Sequence, residues 1–231
     1  MMLLPGVGEP SITPTLRIGL AVGLAILLVP SVQADVPLLL GDSASFALVI
    51  AANVFTGLWF GWLARQIALV LPVMAQVASY LVGLASVLQP DAELGAQTTA
   101  LGRLFEAATP LLFLVTGLYQ TPLLALRDLF VLIPPAQMLP MADGVQSAVT
   151  AVGTSFALAT QLAAPFFLVG LLWQCAMGLL ARLVARMQIY FVSVPGQILG
   201  GIVTLVLVSK AILIAWQDSV GTLLHALPGT G

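Results

Sequence analysis

Charged residues are scarce in this chain. It has 7 lysines and arginines and 9 aspartates and glutamates among 231 residues, and 60% of its residues are hydrophobic. A soluble domain usually has about 25% charged residues, whereas only 7% of these residues are charged, too few to form a water-facing surface. Most of the surface must therefore face lipid or apolar protein, which indicates an integral membrane protein.

The chain has almost no cysteine or histidine, and this scarcity excludes several kinds of functional site. The chain has one cysteine, Cys175, and one histidine, His225. A disulfide within the chain and a paired-cysteine redox motif are therefore impossible, and a metal site built from His and Cys clusters is excluded by number. The net charge of -2 offers no basic patch for nucleic acid. We expect no enzymatic activity, no cofactor and no metal.

The chain contains several long apolar runs. Four of them hold at most one charge each: 44–90, 107–126, 144–181 and 187–217. A bilayer span needs about 20 apolar residues, so the first run is long enough for two passes joined near Arg65. A shorter run covers 16–30. We predict five or six helices and no strands, that is, an all-α polytopic membrane protein of helical hairpins with broken helices.

The amino-terminal run allows two interpretations. Arg17, the apolar stretch Ile18–Val29 and the small residues before Asp35 fit a cleaved signal peptide. Glu9 and several prolines make a poor leader, however, and the rest of the chain can insert without one. We expect a retained helix.

Two arginines stand between the last two runs. Arg182 and Arg186 lie one helical turn apart, Gln188 follows, and Pro195-Gly196 comes after them. Cationic side chains concentrate at the cytoplasmic ends of membrane helices because translocating them is costly. We interpret Arg182, Arg186 and Gln188 as the cytoplasmic tip of a helical hairpin, and Pro195 and Gly196 as a helix break. Interfacial anchoring of the arginines is the alternative.

Lys210 is the one charge deep in the final run. A cation within a membrane helix indicates a functional site, in which it is paired with a carboxylate or a helix carboxyl end. The alternative is that the side chain snorkels to the interface from a helix end.

The stretch "GLLARLVARMQIYFVSVPGQILGGI" resembles the carboxyl-terminal signature of the FliR family, membrane proteins of the flagellar type III export apparatus. That family has a G-L-x-x-R segment, a turn, and an aromatic run leading into P-x-x-I and glycine. Here Gly178-Leu179, Arg182, Tyr190-Phe191 and Pro195 occupy these positions.

The resemblance extends upstream over essentially the whole chain. Three further segments are similar to family segments in the same order: "LPGVGEPSITPTLRIGLAVGLAILLVP", "YLVGLASVLQPDAELGAQ" and "LYQTPLLALRDLFVLIPPAQMLP". Two departures stand out. Ala185-Arg186 replaces a frequent Pro-Gln at the hairpin tip, and the family's helix before "PGVGE" is missing, so we expect a start that omits one membrane helix of about 20 residues.

The resemblance implies a structural role in protein export. Residues 1–231 would form one export-gate domain, with a FliP-like first part and a FliQ-like carboxyl-terminal hairpin over 144–217. The partners would be FliP-like and FliQ-like subunits in a helical assembly, with FlhB and FlhA nearby. Unfolded flagellar subunits would be transient substrates. The location would be the flagellar basal body in the bacterial inner membrane, in contact with lipid.

The resemblance also implies a role for the segment Gly83–Gln97. In the family this segment plugs the closed channel, and Gly83, Leu84, Ser86, Pro90 and Asp91 carry the similarity here. On the residues alone it would be an exposed connection between helices, because Asp91 and Glu93 suit water. A virulence-type export subunit and a small-solute transporter are the alternative functions. Against the transporter, the two halves of this chain show no convincing repeat.

Overall fold

Helices make up nearly all of the described structure, a computed structural model that describes residues 8, 13–28, 43–83, 99–133, 141–183 and 190–227. Within these ranges there are eight helices and no strand. They are α1 Pro14–Leu28, α2 Ser43–Ala68, α3 Val70–Val82, α4 Ala100–Thr116, α5 Gln120–Leu132, α6 Met141–Leu162, α7 Ala164–Leu183 and α8 Tyr190–His225. The predicted all-α class is confirmed, but the predicted number of five or six helices is wrong.

Prolines explain the additional helices. Pro72, Pro122 and Pro165 stand at the third, third and second positions of α3, α5 and α7. A proline has no N–H to donate to the carbonyl four residues earlier, and its ring clashes with that carbonyl. It is tolerated in the first turn of a helix, where N–H groups have no intrahelical partner. Each of these prolines therefore begins a new helix inside a run that reads as continuous in hydropathy.

The predicted break at Pro195 and Gly196 is wrong, because both residues lie within the single 36-residue helix α8. Proline removes only one intrahelical hydrogen bond, and membrane helices tolerate it where neighbouring groups compensate. Here Gly196 packs against the indole ring of Trp173 in α7. Since a side chain at position 196 would meet that ring, the glycine allows the two helices to approach.

A sharp bend separates α4 from α5. Gly117 adopts a left-handed backbone with φ of 75°, which costs glycine little because it has no Cβ. Its N–H donates to Leu114 O at 3.4 Å, and its carbonyl accepts from Gln120 N at 3.1 Å. Residues Ala100–Thr116 and Gln120–Leu129 are consequently bent by 77°. This pair matches the predicted broken helices.

Among the described residues, three helices are long and apolar enough to cross a membrane, or up to four if the bent pair counts as one span. They are Phe46–Ala68, Ala164–Arg182 and Ser193–His225. A helix boundary lies at Leu69, close to the predicted join near Arg65, but α3 has only 13 residues, fewer than a span needs. The described part of the run 44–90 therefore holds one candidate span instead of two.

The chain divides into two compact units, each assembled from distant segments. The first comprises Met1–Ala68, Thr109–Ser155 and Ser219–Gly231. In it α2 packs on α5, and the fully buried side chains include Phe60, Phe113 and Leu129. The indole Nε1 of Trp59 donates to the carbonyl of Gly144 at 3.2 Å. This bond ties α2 to the first turns of α6.

The second unit comprises Leu69–Ala108 and Phe156–Asp218. Its centre is α3, which packs on α7 and buries Leu71, Met74 and Ala78 completely. Two glycines let neighbouring helices reach the carboxyl end of α3. A Cβ on Gly170 would lie 3.2 Å from Leu81 O, and a Cβ on Gly201 would overlap the side chain of Val82.

This packing predicts opposite effects for two adjacent glycines. Gly201→Ala should destabilise the protein by about 1–3 kcal/mol because the new methyl overpacks against Val82. Gly200→Ala should be neutral or stabilise by up to about 1 kcal/mol, since it meets nothing within 4 Å and alanine favours helix. Thermal unfolding in one detergent measures both. Val82→Ala should restore part of the loss in Gly201→Ala, and a lack of rescue would contradict the contact.

Candidate functional site

The residues predicted as a plug fall mostly outside the described structure. Leu84, Ser86, Pro90 and Asp91 all lie outside the described residues. Gly83 is described and ends α3, with φ of 78° and ψ of 7°. Its N–H donates to Tyr80 O at 3.3 Å. The left-handed conformation closes the helix and favours glycine, as helix carboxyl ends commonly do.

A side chain from α8 satisfies the end of α3. Gln197 Nε2 donates to the carbonyl oxygen of Leu81 at 2.9 Å. The last carbonyls of a helix have no intrahelical donor, so this amide supplies one from a residue far along the chain. Gly83 lies beside the same amide, and a Cβ there would be 3.4 Å from Gln197 Cδ. Since 3.4 Å is an ordinary van der Waals contact, the left-handed backbone and not a lack of space favours glycine at position 83.

Three polar side chains meet at the start of α4, and we name Gln76, Ser79 and Thr99 the polar clasp. Ser79 has no exposed surface and Thr99 is 6% exposed. Thr99 Oγ1 lies 2.9 Å from Ser79 Oγ and 3.3 Å from Gln76 Oε1. Thr99 N also donates to Gln76 Oε1, at 3.4 Å. The polar clasp therefore connects α3 to the residue that precedes α4.

Thr99 also caps α4. Its Oγ1 accepts from Gly102 N at 3.1 Å, the N-cap bond for which threonine is favoured. Ser79 Oγ in turn donates to Ala75 O at 2.8 Å. One continuous series of donors and acceptors therefore runs from Gly102 through Thr99 and Ser79 to Ala75. Such series strengthen each bond when water is excluded.

The predicted hairpin tip is described only in part. Arg182 lies in the last turn of α7 and is exposed, whereas Arg186 and Gln188 lie outside the described residues. The position of Arg182 at a helix carboxyl end is favourable for a cation. The range 144–217 contains most of α6, all of α7 and most of α8, so three helices occupy the predicted hairpin.

Lys210 lies near the middle of the 33-residue candidate span Ser193–His225. Its side chain is exposed, between the exposed apolar side chains of Leu207 and Ile214. The ion pair of Arg127 with Asp128, at 3.9 Å, does not involve Lys210. Lys210 therefore has no carboxylate partner among the described residues.

The described residues hold no group of three or more His, Cys, Asp or Glu that could bind a metal ion. Cys175 is exposed on α7. Sequence reasoning passed over the polar clasp and Gln197. The signal was available in part, since Gln76 and Ser79 are polar residues in an apolar run. Their partners Thr99 and Leu81 could not be assigned without the fold.

Comparison with known proteins gives the same family as the sequence motifs. The family described as "Bacterial export proteins, family 1" matches residues 1–223. The flagellar biosynthetic protein FliR of Caulobacter vibrioides is 26% identical over 218 residues, which are 94% of this chain and 87% of that protein. With nearly its whole length matched, this multi-pass membrane chain belongs to bacterial export protein family 1, a structural component of a flagellar or type III export apparatus and not an enzyme.

Proposed function

We propose that this chain is a structural subunit of the flagellar type III export gate. With FliP-like and FliQ-like subunits it would form the channel through which unfolded flagellar proteins cross the inner membrane. The family match over residues 1–223 carries the proposal. The similar protein from Caulobacter vibrioides is a flagellar one, which favours the flagellar system over a virulence-type one.

Uncovered apolar surface supports a role inside an assembly. Only 11% of the residues in the apolar windows of α7 and α8 are buried within the chain. Large side chains such as Leu171, Leu179 and Val206 are more than 60% exposed. Surfaces of this kind need lipid or neighbouring subunits to cover them. We infer that FliP-like and FliQ-like subunits cover much of α7 and α8.

The remaining assignments follow from the family. Residues 144–217 would form the FliQ-like hairpin, and the contact of Gly196 with Trp173 supports α7 and α8 as neighbouring arms. Arg182, with Arg186 and Gln188, would mark the cytoplasmic tip, where FlhB docks and FlhA lies nearby. The chain would then belong to the basal body.

Assembly predicts mutual stabilisation. Expressed alone, the chain should aggregate or be degraded, because detergent must cover surface that subunits would cover. Co-expression with FliP-like and FliQ-like subunits should give one complex that elutes as a single peak in size-exclusion chromatography. Subunits that bind the folded chain and not the unfolded chain raise its apparent stability by mass action. A well-behaved solitary monomer that binds a small solute would contradict the proposal.

We further propose that the segment beginning at Gly83 blocks the closed channel. Deleting Gly83–Gln89 in the co-expressed complex should make the membrane leak ions, because the obstruction is shortened. Conductance of planar bilayers or ion flux from vesicles measures the effect. The complex with the intact segment, studied under the same conditions, serves as the control and should not leak. Unchanged conductance in an intact complex would remove the plug assignment.

The position of Lys210 near the middle of a candidate span predicts that a neighbouring subunit supplies a carboxylate to pair with it. Lys210→Met should lower the yield of intact complex about tenfold or more, because it leaves the partner's charge buried and unpaired. Lys210→Arg should keep most of the yield. Ser209→Ala is the matched control, since Ser209 Oγ donates within its own helix to Val206 O at 2.9 Å. If Lys210→Met assembled normally, the side chain would instead reach the interface by snorkelling.

A further inference from the structure

Two opposite faces of α6 are exposed, and one of them is polar. Ser147, Thr150 and Thr154 fall within an arc of about 60° when successive residues are placed about 100° apart, and we name them the hydroxyl face. Thr150 and Thr154 are exposed, and Ser147 is half-buried. Asp143, one turn before Ser147, is exposed on the same side. A polar strip therefore runs along about 16 Å of α6, at 1.5 Å per residue.

The opposite face of α6 is apolar. Val145, Val149 and Val152 lie about 180° around the helix from the hydroxyl face, and we name them the valine face. Their side chains are 63%, 63% and 42% exposed. Uncovered apolar side chains in a row need lipid or apolar protein beside them, whereas hydroxyls and a carboxylate suit water. The two faces of α6 therefore require two different environments.

Packing within the first unit determines which sides of α6 are turned outward. Gly144 is buried, and its carbonyl accepts from Trp59 Nε1 of α2 at 3.2 Å. Ser155 is 7% exposed. Both residues lie about 90° around the helix from each of the two named faces. The helix is thus held along one side, and neither face can turn inward unless these contacts break.

The hydropathy of α6 agrees with this division. Its 22 residues make it long enough to cross a bilayer, yet it is not among the helices that are apolar enough to do so. Its polar residues are gathered on one face instead of being scattered around the helix. This pattern is typical of a helix at a boundary between apolar surroundings and water.

The hydroxyl face is wettable but offers few donors. Ser147 Oγ donates to Asp143 O at 2.8 Å, and Thr154 Oγ1 donates to Thr150 O at 2.7 Å. These hydroxyl hydrogens are used within the helix, while the oxygen lone pairs remain available to accept from water. A polypeptide beside this face would find no apolar pocket and little to hold its carbonyls. Such a surface suits passage of many sequences better than tight binding of one.

We propose that the hydroxyl face of α6 lines the water-filled path of the exported polypeptide, with the valine face turned away from that path. The partner is an unfolded chain that passes in extended form and is contacted through water. This inference rests on the proposed function as an export-gate subunit, and it assigns the lining to described residues. It does not depend on the proposed plug.

The test places single cysteines on the two faces in the co-expressed complex. Cys175→Ser first removes the one native cysteine. Thr150→Cys and Thr154→Cys then probe the hydroxyl face, and Val149→Cys and Val152→Cys are the matched controls one or two residues away. A membrane-impermeant thiol reagent should label the hydroxyl-face cysteines at least about tenfold faster, because the reactive thiolate forms in water and not beside lipid or apolar protein. Equal labelling of both faces, or of neither, would overturn the inference.

A helix lying on the membrane surface would also expose its polar face to water, so a second measurement is needed. The probe is an unfolded flagellar subunit that carries one cysteine and is fused to a stably folded domain, which stops it inside the gate. Its cysteine should form a disulfide with Thr150→Cys or Thr154→Cys, since the bond requires Cα atoms within about 7 Å. The stopped subunit should also abolish labelling of the hydroxyl face. Labelling that persists beside a stopped subunit would show a surface helix instead.

The same measurements separate this inference from the proposed function. If the stopped subunit is retained by the complex but forms a disulfide with neither hydroxyl-face cysteine, the export function stands and the inference fails. If the complex retains no subunit at all, the proposed function fails, and the lining of its path fails with it. Thr150→Cys and Thr154→Cys lie one turn apart, so either variant decides the matter should the other fail to assemble.

Discussion

Uncovered apolar surface on α7 and α8 is the constraint from which the other features follow. A helix surrounded by lipid or apolar protein gains little hydrophobic free energy when it packs on a neighbouring helix, because both environments are apolar. Internal contacts must then come from close packing and hydrogen bonds. Gly170 and Gly201 supply the first against the end of α3, and Gln197 supplies the second at Leu81. The most specific contacts of the second unit thus occur where side chains are small or polar.

Scarcity of charge follows from the same surroundings. An ionised group facing lipid is costly, so those present mark helix ends or places where another charge is available. Arg65 and Arg182 stand in the last turns of α2 and α7, where the helix dipole favours a cation. Lys210 has no such end nearby, since α8 continues to His225. This exposed position is the reason for proposing that a neighbouring subunit supplies its carboxylate.

Composition predicted the helical class and the membrane surroundings because both depend on how many residues of each kind there are. Helix boundaries depend on single residues, and the apolar runs concealed them. Pro72, Pro122 and Pro165 stand in the first turns of helices, whereas Pro195 lies inside one, and hydropathy does not distinguish the two cases. The polar clasp was beyond sequence reasoning for a similar reason. Ser79 and Thr99 are distant in sequence, and only the fold brings their hydroxyls within 2.9 Å.

Assembly and the packing at the carboxyl end of α3 are connected through the dielectric of their surroundings. Hydrogen bonds of Gln197 and the polar clasp compete with water wherever the covering subunits are missing, and they strengthen when water is excluded. Subunits that covered α7 and α8 would remove water from the outer side of the helices that carry Gly170 and Gln197. The end of α3 would then be held more firmly in the complex than in the chain alone.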